Sequence, residues 1–79
     1  MILIIDDDSA IRTSLSFKLN RVGYETEAVA SPKEAMAVVR AVAPDLILMD
    51  MNFSLTTSGD EGITLLKQVK LYRPEVPVI

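Results

Sequence analysis

Met1-Ile2-Leu3-Ile4-Ile5-Asp6-Asp7-Asp8 and Leu46-Ile47-Leu48-Met49-Asp50 are the two stretches that decide the fold. Each is a short apolar run that ends on carboxylate. Runs of this length, bounded by polar or turn residues, read as buried strands, because helices need more residues and a longer period. The segments between them carry helical periodicity, so the chain reads as strand, helix, strand, helix, strand. Such chains build parallel sheets with right-handed crossovers. Parallel strands deliver their carboxyl ends to one edge, where open α/β sheets place their sites. Asp6, Asp7, Asp8 and Asp50 are therefore expected at a common edge.

Working outward from the first strand, Asp8 or Ser9 can cap a helix whose apolar positions Ile11, Leu15, Leu19 and Val22 recur at helical spacing. Gly23 stops it, where a left-handed cap needs no Cβ. Tyr24 to Val29 alternates and is rich in strand formers. Phe17 falls off the apolar stripe and receives no role. Ser31-Pro32-Lys33-Glu34 is a helix start in which Ser31 is the cap, Pro32 the first helical residue and Glu34 the return partner of a capping box. Ala35, Val38, Val39 and Val42 form the expected buried face, and Pro44 ends the helix. The run ending at Met49 reads as a central strand covered on both faces.

The residues between Asp50 and Gly62 form a polar, Ser/Thr-rich loop, long for a strand-to-helix connection. A third helix follows, with Ile63, Leu65, Leu66, Val69 and Tyr72 expected inward and Arg73-Pro74 closing it. Val76 to Ile79 begins a fourth strand. Repeats, low-complexity tracts and linkers are missing from the pattern.

Composition narrows the chemistry. The 79 residues are enough for one domain and contain neither Cys nor His, which excludes disulfides, thiolate or imidazole metal ligation and His-based proton transfer. Any metal here must be bound by oxygen. The net charge is −3, from eight Lys/Arg against eleven Asp/Glu; with Asp6, Asp7, Asp8 and Asp50 set aside, seven acids face eight bases. The acidity thus sits mostly in the proposed site. No basic patch with interleaved aromatics suggests direct nucleic-acid binding. The N-terminal apolar run is too short for an export signal or a membrane span, so a cytoplasmic protein is expected.

Two carboxylates about 4 Å apart repel by roughly 4 kcal/mol at an effective dielectric of about 20. A cluster of them needs a proton or a cation. Carboxylates, backbone carbonyls such as that of Asn52, and water suit Mg²⁺, which prefers octahedral oxygen coordination. Such a site is poised for phosphoryl transfer, with one carboxylate as the nucleophile. The competing structural explanation is that aspartates at strand ends only cap the next helix, and Asp8 is expected to do that.

Four segments, residues 2–12, 44–51, 59–70 and 74–79, together resemble the receiver domain of bacterial two-component response regulators. The closest flavour is the receiver of enhancer-binding transcriptional activators. The resemblance implies a flavodoxin-like parallel sheet, here a truncated βαβαβαβ with strand order 2-1-3-4 and three helices. It implies phosphorylation on Asp50 by a sensor histidine kinase or a small phosphodonor, with Mg²⁺ held by Asp7, Asp50, the backbone carbonyl of Asn52 and, through water, Asp6. It implies a phosphoryl-accepting module rather than an enzyme, controlling an output ATPase or DNA-binding module and, through it, transcription. Two departures stand out. Phe53-Ser54 replaces the usual Met-Pro after the acceptor, with a few residues added before Gly62. Residues 1–79 also read as a receiver incomplete at its C-terminus, with strand five and helices four and five absent. An open strand-four edge predicts a homodimer or a swapped assembly.

Two alternatives are carried. Asp6-x-Asp8 after an apolar strand looks like the opening of haloacid-dehalogenase-type phosphohydrolases, with Asp6 the nucleophile and Asp8 the general acid, although Ala10 stands where that motif expects Thr or Val. The other is an inactive interaction fragment that retains the site without its chemistry.

Overall fold

The computed structural model describes residues 1–49 and 60–79. Its elements run β1 (Ile2–Ile5), α1 (Ser9–Arg21), β2 (Thr26–Val29), α2 (Pro32–Ala41), β3 (Leu46–Met49) and α3 (Asp60–Tyr72). The three strands form one parallel sheet in the order β2-β1-β3. The first run of the chain is thus the central strand, and each of its four residues is buried.

Alternation along β1 sends Leu3 and Ile5 to one face of the sheet. There they join Val29, Ala35, Met36, Val39, Ile47, Met49, Leu65, Val69 and Val76 in the core beneath α2 and α3. Ile2 and Ile4 point to the face that carries α1. The two faces are covered unequally. Every residue of α1 keeps some exposure, and of its expected inward stripe Ile11 is 42% and Val22 69% exposed. β3 departs from expectation for the same reason: Ile47 and Met49 are buried, whereas Leu46 and Leu48, on the α1 face, are only half-buried. The expectation of a strand covered on both faces is met by β1 and not by β3, because β3 lies beside the centre of the sheet and α1 spans only part of that face.

Local sequence chemistry sets the helix ends. Gly23 has φ +100°, its N–H reaches the Asn20 carbonyl at 3.1 Å, and the Tyr24 N–H reaches that of Leu19 at 3.1 Å. This is the paired-bond cap that left-handed glycine makes possible. At α2, Ser31 Oγ accepts the Glu34 N–H at 3.3 Å, and Pro32 occupies the first turn. Glu34 Oε2 accepts the N–H of Ala30 at 3.0 Å, one residue earlier than a standard capping box, which ties the exit of β2 to the start of α2.

Other expectations shift. Met36 replaces Val42 in the buried face of α2, because Val42 sits at the C-cap with extended backbone and is 49% exposed. In α3, Leu65 and Val69 are buried and Leu66 is partly so, but Tyr72 is 50% exposed, its ring lying under the Arg73 guanidinium at 5.2 Å. Phe17 is 61% exposed and lies beneath Arg21 at 5.7 Å. The fourth strand reduces to a single parallel bridge, Ile47 to Val78, on the outer side of β3. Ile47 and Met49 donate to the carbonyls of Pro77 and Ile79, and Ile79 donates back to Ile47. Pro77 has no N–H, so the ladder cannot extend through it toward Val76. The bridge follows the expected order 2-1-3-4. The Ile63 side chain and the long polar loop across 51–59 lie outside the described residues.

Candidate functional site at the carboxyl edge of the sheet

β1 does not end at Ile5 in hydrogen-bonding terms. The Asp6 N–H still donates to the Val29 carbonyl at 3.1 Å, which holds Asp6 in the ladder. The residue is 7% exposed, the one buried charged residue among those described. Its Oδ1 accepts the Asp8 N–H at 2.9 Å, an Asx turn that bends the chain out of the strand. Asp8 then takes extended backbone, φ −88° and ψ 114°, and its Oδ1 accepts the Ala10 N–H at 2.9 Å. Asp8 is therefore the N-cap of α1, as expected. Asp7, between the two, is exposed.

Three consecutive aspartates thus do three different things. Asp6 is buried with one oxygen engaged by backbone, Asp7 faces solvent, and Asp8 starts a helix. The haloacid-dehalogenase alternative asks Asp8 to deliver a proton; with Oδ1 taken by the cap, that task falls to Oδ2. Among the described residues no group of three or more acidic side chains gathers to hold a metal. Asp6 and Asp7 supply the oxygen-only donors that a hard cation requires. Asp50 and Asn52, the expected phosphoryl acceptor and the expected carbonyl ligand, lie outside the described residues.

The edge itself is defined. β1 and β3 pair in parallel with Ile5 opposite Met49. A cavity of about 240 Å³ opens at the end of this pair, lined by Ile4, Ile5, Asp6, Leu15, Leu48, Met49 and Ile79. Among the described residues, Asp6 is the one charged side chain that lines it. A carboxylate at the rim of an apolar floor attracts a cation more strongly than one surrounded by water.

The sequence reading passed over Arg12. Its Nη1 donates to the backbone carbonyl of Asp6 at 2.8 Å, from a half-buried position on α1. The available signal was its place one helical turn beyond the Asp8 cap, on a side chain long enough to reach back across the acidic turn.

Comparison with known proteins decides the family. The family model described as "Response regulator receiver domain" matches residues 2–79. The chain belongs to the response regulator receiver family. This receiver is 37% identical over 78 residues to sporulation initiation phosphotransferase F of Bacillus subtilis, covering 99% of this chain and 60% of that protein. It is 33% identical over 79 residues to the DNA-binding transcriptional regulator NtrC of Salmonella typhimurium, covering 100% of this chain and 16% of that protein. Among solved structures, a receiver domain protein of Methanospirillum hungatei superposes with a TM-score of 0.87 at 34% identity, over 98% of this chain and 58% of that one. The chemotaxis response regulator CheY4 of Vibrio cholerae gives 0.84 at 30%, over 98% and 62%. The chain thus spans about three fifths of the length of the first of these relatives and of both solved structures, and 16% of NtrC. It carries the receiver fold on three helices and a parallel 2-1-3 sheet. Phosphorylation on aspartate, generally with Mg²⁺, is common to the family. Among the described residues no helix is long and apolar enough to cross a membrane.

Proposed function

We propose that Asp50 is the phosphoryl acceptor of this receiver and that Asp7, Asp50 and the Asn52 backbone carbonyl hold Mg²⁺, with Asp6 acting through a bound water. The observation that carries the proposal is the parallel β1–β3 pairing that ends on Ile5 and Met49. Neighbouring strands lie about 4.8 Å apart, and the residues that directly follow these two in the chain are Asp6 and Asp50. The buried Asp6, which lines the cavity, and the exposed Asp7 that follows it in the chain offer the two carboxylates of this side of the site.

In the transfer, a carboxylate oxygen of Asp50 attacks phosphorus in line as the bond to the donor breaks. The donor is a phosphohistidine of a sensor kinase or a small acyl phosphate. The divalent ion, when bound, neutralises phosphate oxygens as charge shifts to the leaving group. Asp6 and Asp7 hold negative charge at fixed positions and accept no phosphoryl group themselves. The chain is a substrate of the transfer rather than a turnover enzyme, and it works in the cytoplasm.

This receiver matches 60% of the length of sporulation initiation phosphotransferase F and 62% of that of CheY4. Its output is an ATPase or DNA-binding module that regulates transcription, in line with the NtrC relatives. The edge of the 76–79 segment that faces away from β3 pairs with a second copy, as a homodimer or by exchange. Acetyl phosphate with Mg²⁺, or beryllofluoride as a mimic, tests the assignment: intact mass or amide NMR should show the adduct in the unaltered protein and none in Asp50→Asn. Modification that persists in Asp50→Asn refutes it.

A further inference from the structure

Arg12 is the one cation seen bonded to the acidic turn among the described residues, and the bond goes to backbone. Its Nη1 donates to the Asp6 carbonyl at 2.8 Å. The peptide unit that contains this carbonyl also contains the Asp7 N–H and is planar. Pinning one end of that plane places the Asp7 N and Cα, and the Asp8 N–H bond to Asp6 Oδ1 holds the chain on the other side of Asp7, so that together they set the direction in which the Asp7 side chain leaves the turn. Asp7 is exposed, and none of the hydrogen bonds described at the turn engages its carboxylate. Asp6 is anchored separately, by its ladder bond to Val29 and its Oδ1 bond to Asp8. Arg12 is anchored as well, because its own N–H donates to the Asp8 carbonyl at 3.0 Å in the first turn of α1. The helix and the turn thus form one braced loop: Asp8 starts α1, and α1 returns Arg12 to hold the Asp6–Asp7 peptide.

We infer that Arg12 is a positioning residue that aims the Asp7 carboxylate at the divalent cation, an inference that rests on the metal reading above. A guanidinium suits the task because it is always charged, planar and rigid, and binds an oxygen with little loss of freedom. Two effects of opposite sign separate this role from simple charge. As a nearby positive charge, Arg12 opposes Mg²⁺, so its removal would tighten binding. As a brace, Arg12 supports Mg²⁺, so its removal weakens binding. Outer partners that orient a metal ligand typically contribute 10- to 100-fold in affinity.

The experiment is an Mg²⁺ titration followed by the amide signals of Asp6, Asp7 and Asp8, at low salt and at about 1 M salt, where charges are screened beyond about 3 Å. Arg12→Ala is expected to weaken Mg²⁺ roughly tenfold, with the larger loss at high salt, where removal of the opposing charge no longer compensates. Arg12→Lys keeps the charge without the planar fork and is expected to fall between. In the metal-free protein, ¹⁵N relaxation should show the Asp7 amide loosened in Arg12→Ala while amides of β1 keep their order. Asn20→Ala serves as a control: it removes the Thr26 hydroxyl bond at the far end of α1 and should leave Mg²⁺ affinity unchanged. Unchanged or tighter Mg²⁺ binding by Arg12→Ala at high salt overturns the inference alone. Failure of the unaltered protein to show any Mg²⁺ response at Asp6 to Asp8 overturns the metal reading, and this inference with it.

Discussion

Substitution of Asp8 separates its two candidate jobs, helix cap and proton donor. Oδ1 accepts the Ala10 N–H at 2.9 Å and the residue is exposed, so a shorter side chain opens no cavity and the cap is the interaction at stake. Loss of an N-cap to alanine costs about 1 kcal/mol, and loss of a negative charge at a helix N-terminus adds about 0.3–1 kcal/mol. Asp8→Ala should therefore destabilise by roughly 1–2 kcal/mol. Asp8→Asn keeps a good cap acceptor and forfeits only the charge, for about 0.3–1 kcal/mol. In a domain of this size 1 kcal/mol moves Tm by about 4–8 °C, so the two variants are resolvable by thermal melts and by urea midpoints at constant m. Both are expected to accept phosphoryl groups from acetyl phosphate as the unaltered protein does, once compared below their melting transitions. A folded Asp8→Asn protein that no longer accepts phosphoryl would refute the cap as Asp8's sole role, and an Asp8→Ala protein of unchanged stability would refute the cap itself.

Three further substitutions and additions probe the rest of the molecule. Leu3→Ala empties a fully buried position in the central strand and should cost about 2–5 kcal/mol, read as a large drop in the urea midpoint. Gly23→Ala meets nothing within 4 Å, so its expected cost of about 1–2 kcal/mol comes from backbone strain at positive φ alone, and a neutral result would contradict that cause. Saturating Mg²⁺, at about 100 times Kd, should raise stability by about 2.7 kcal/mol; Asp7→Asn should abolish most of that gain without lowering metal-free stability, as differential scanning calorimetry would show.

What was legible in the sequence was local. Ser31-Pro32-Lys33-Glu34 starts α2 because cap, proline and return carboxylate act within one turn, and Gly23 ends α1 because its conformation does not depend on distant packing. Parallel pairing followed from the alternation of strand and helix. Burial was less legible, because periodicity states which positions can be covered and not what covers them. Val22 and Tyr72 sit at helical spacing with their inward neighbours, yet both are at least half exposed. The runs at β1 and β3 are nearly interchangeable in composition, but only the one at the centre of the sheet is covered on both faces. Arg12 escaped notice because a long side chain that reaches back over a turn leaves no periodic trace.

The run Asp6-Asp7-Asp8 shows why composition alone overstates a site. Three identical side chains in sequence suggest three votes for a cation, but a strand that turns into a helix cannot present them alike. The ladder bond to Val29 keeps Asp6 in the sheet and so in the buried layer. The helix needs an acceptor for its orphaned N–H groups, and Asp8 is the residue in place to provide one. What remains is Asp7, exposed and engaged by none of the hydrogen bonds described at the turn. The acidic turn therefore offers a cation one open ligand and one partly engaged neighbour, and any further carboxylate must come from another strand. On the reading proposed above, that carboxylate comes from the end of the parallel partner β3, at the residue that follows Met49.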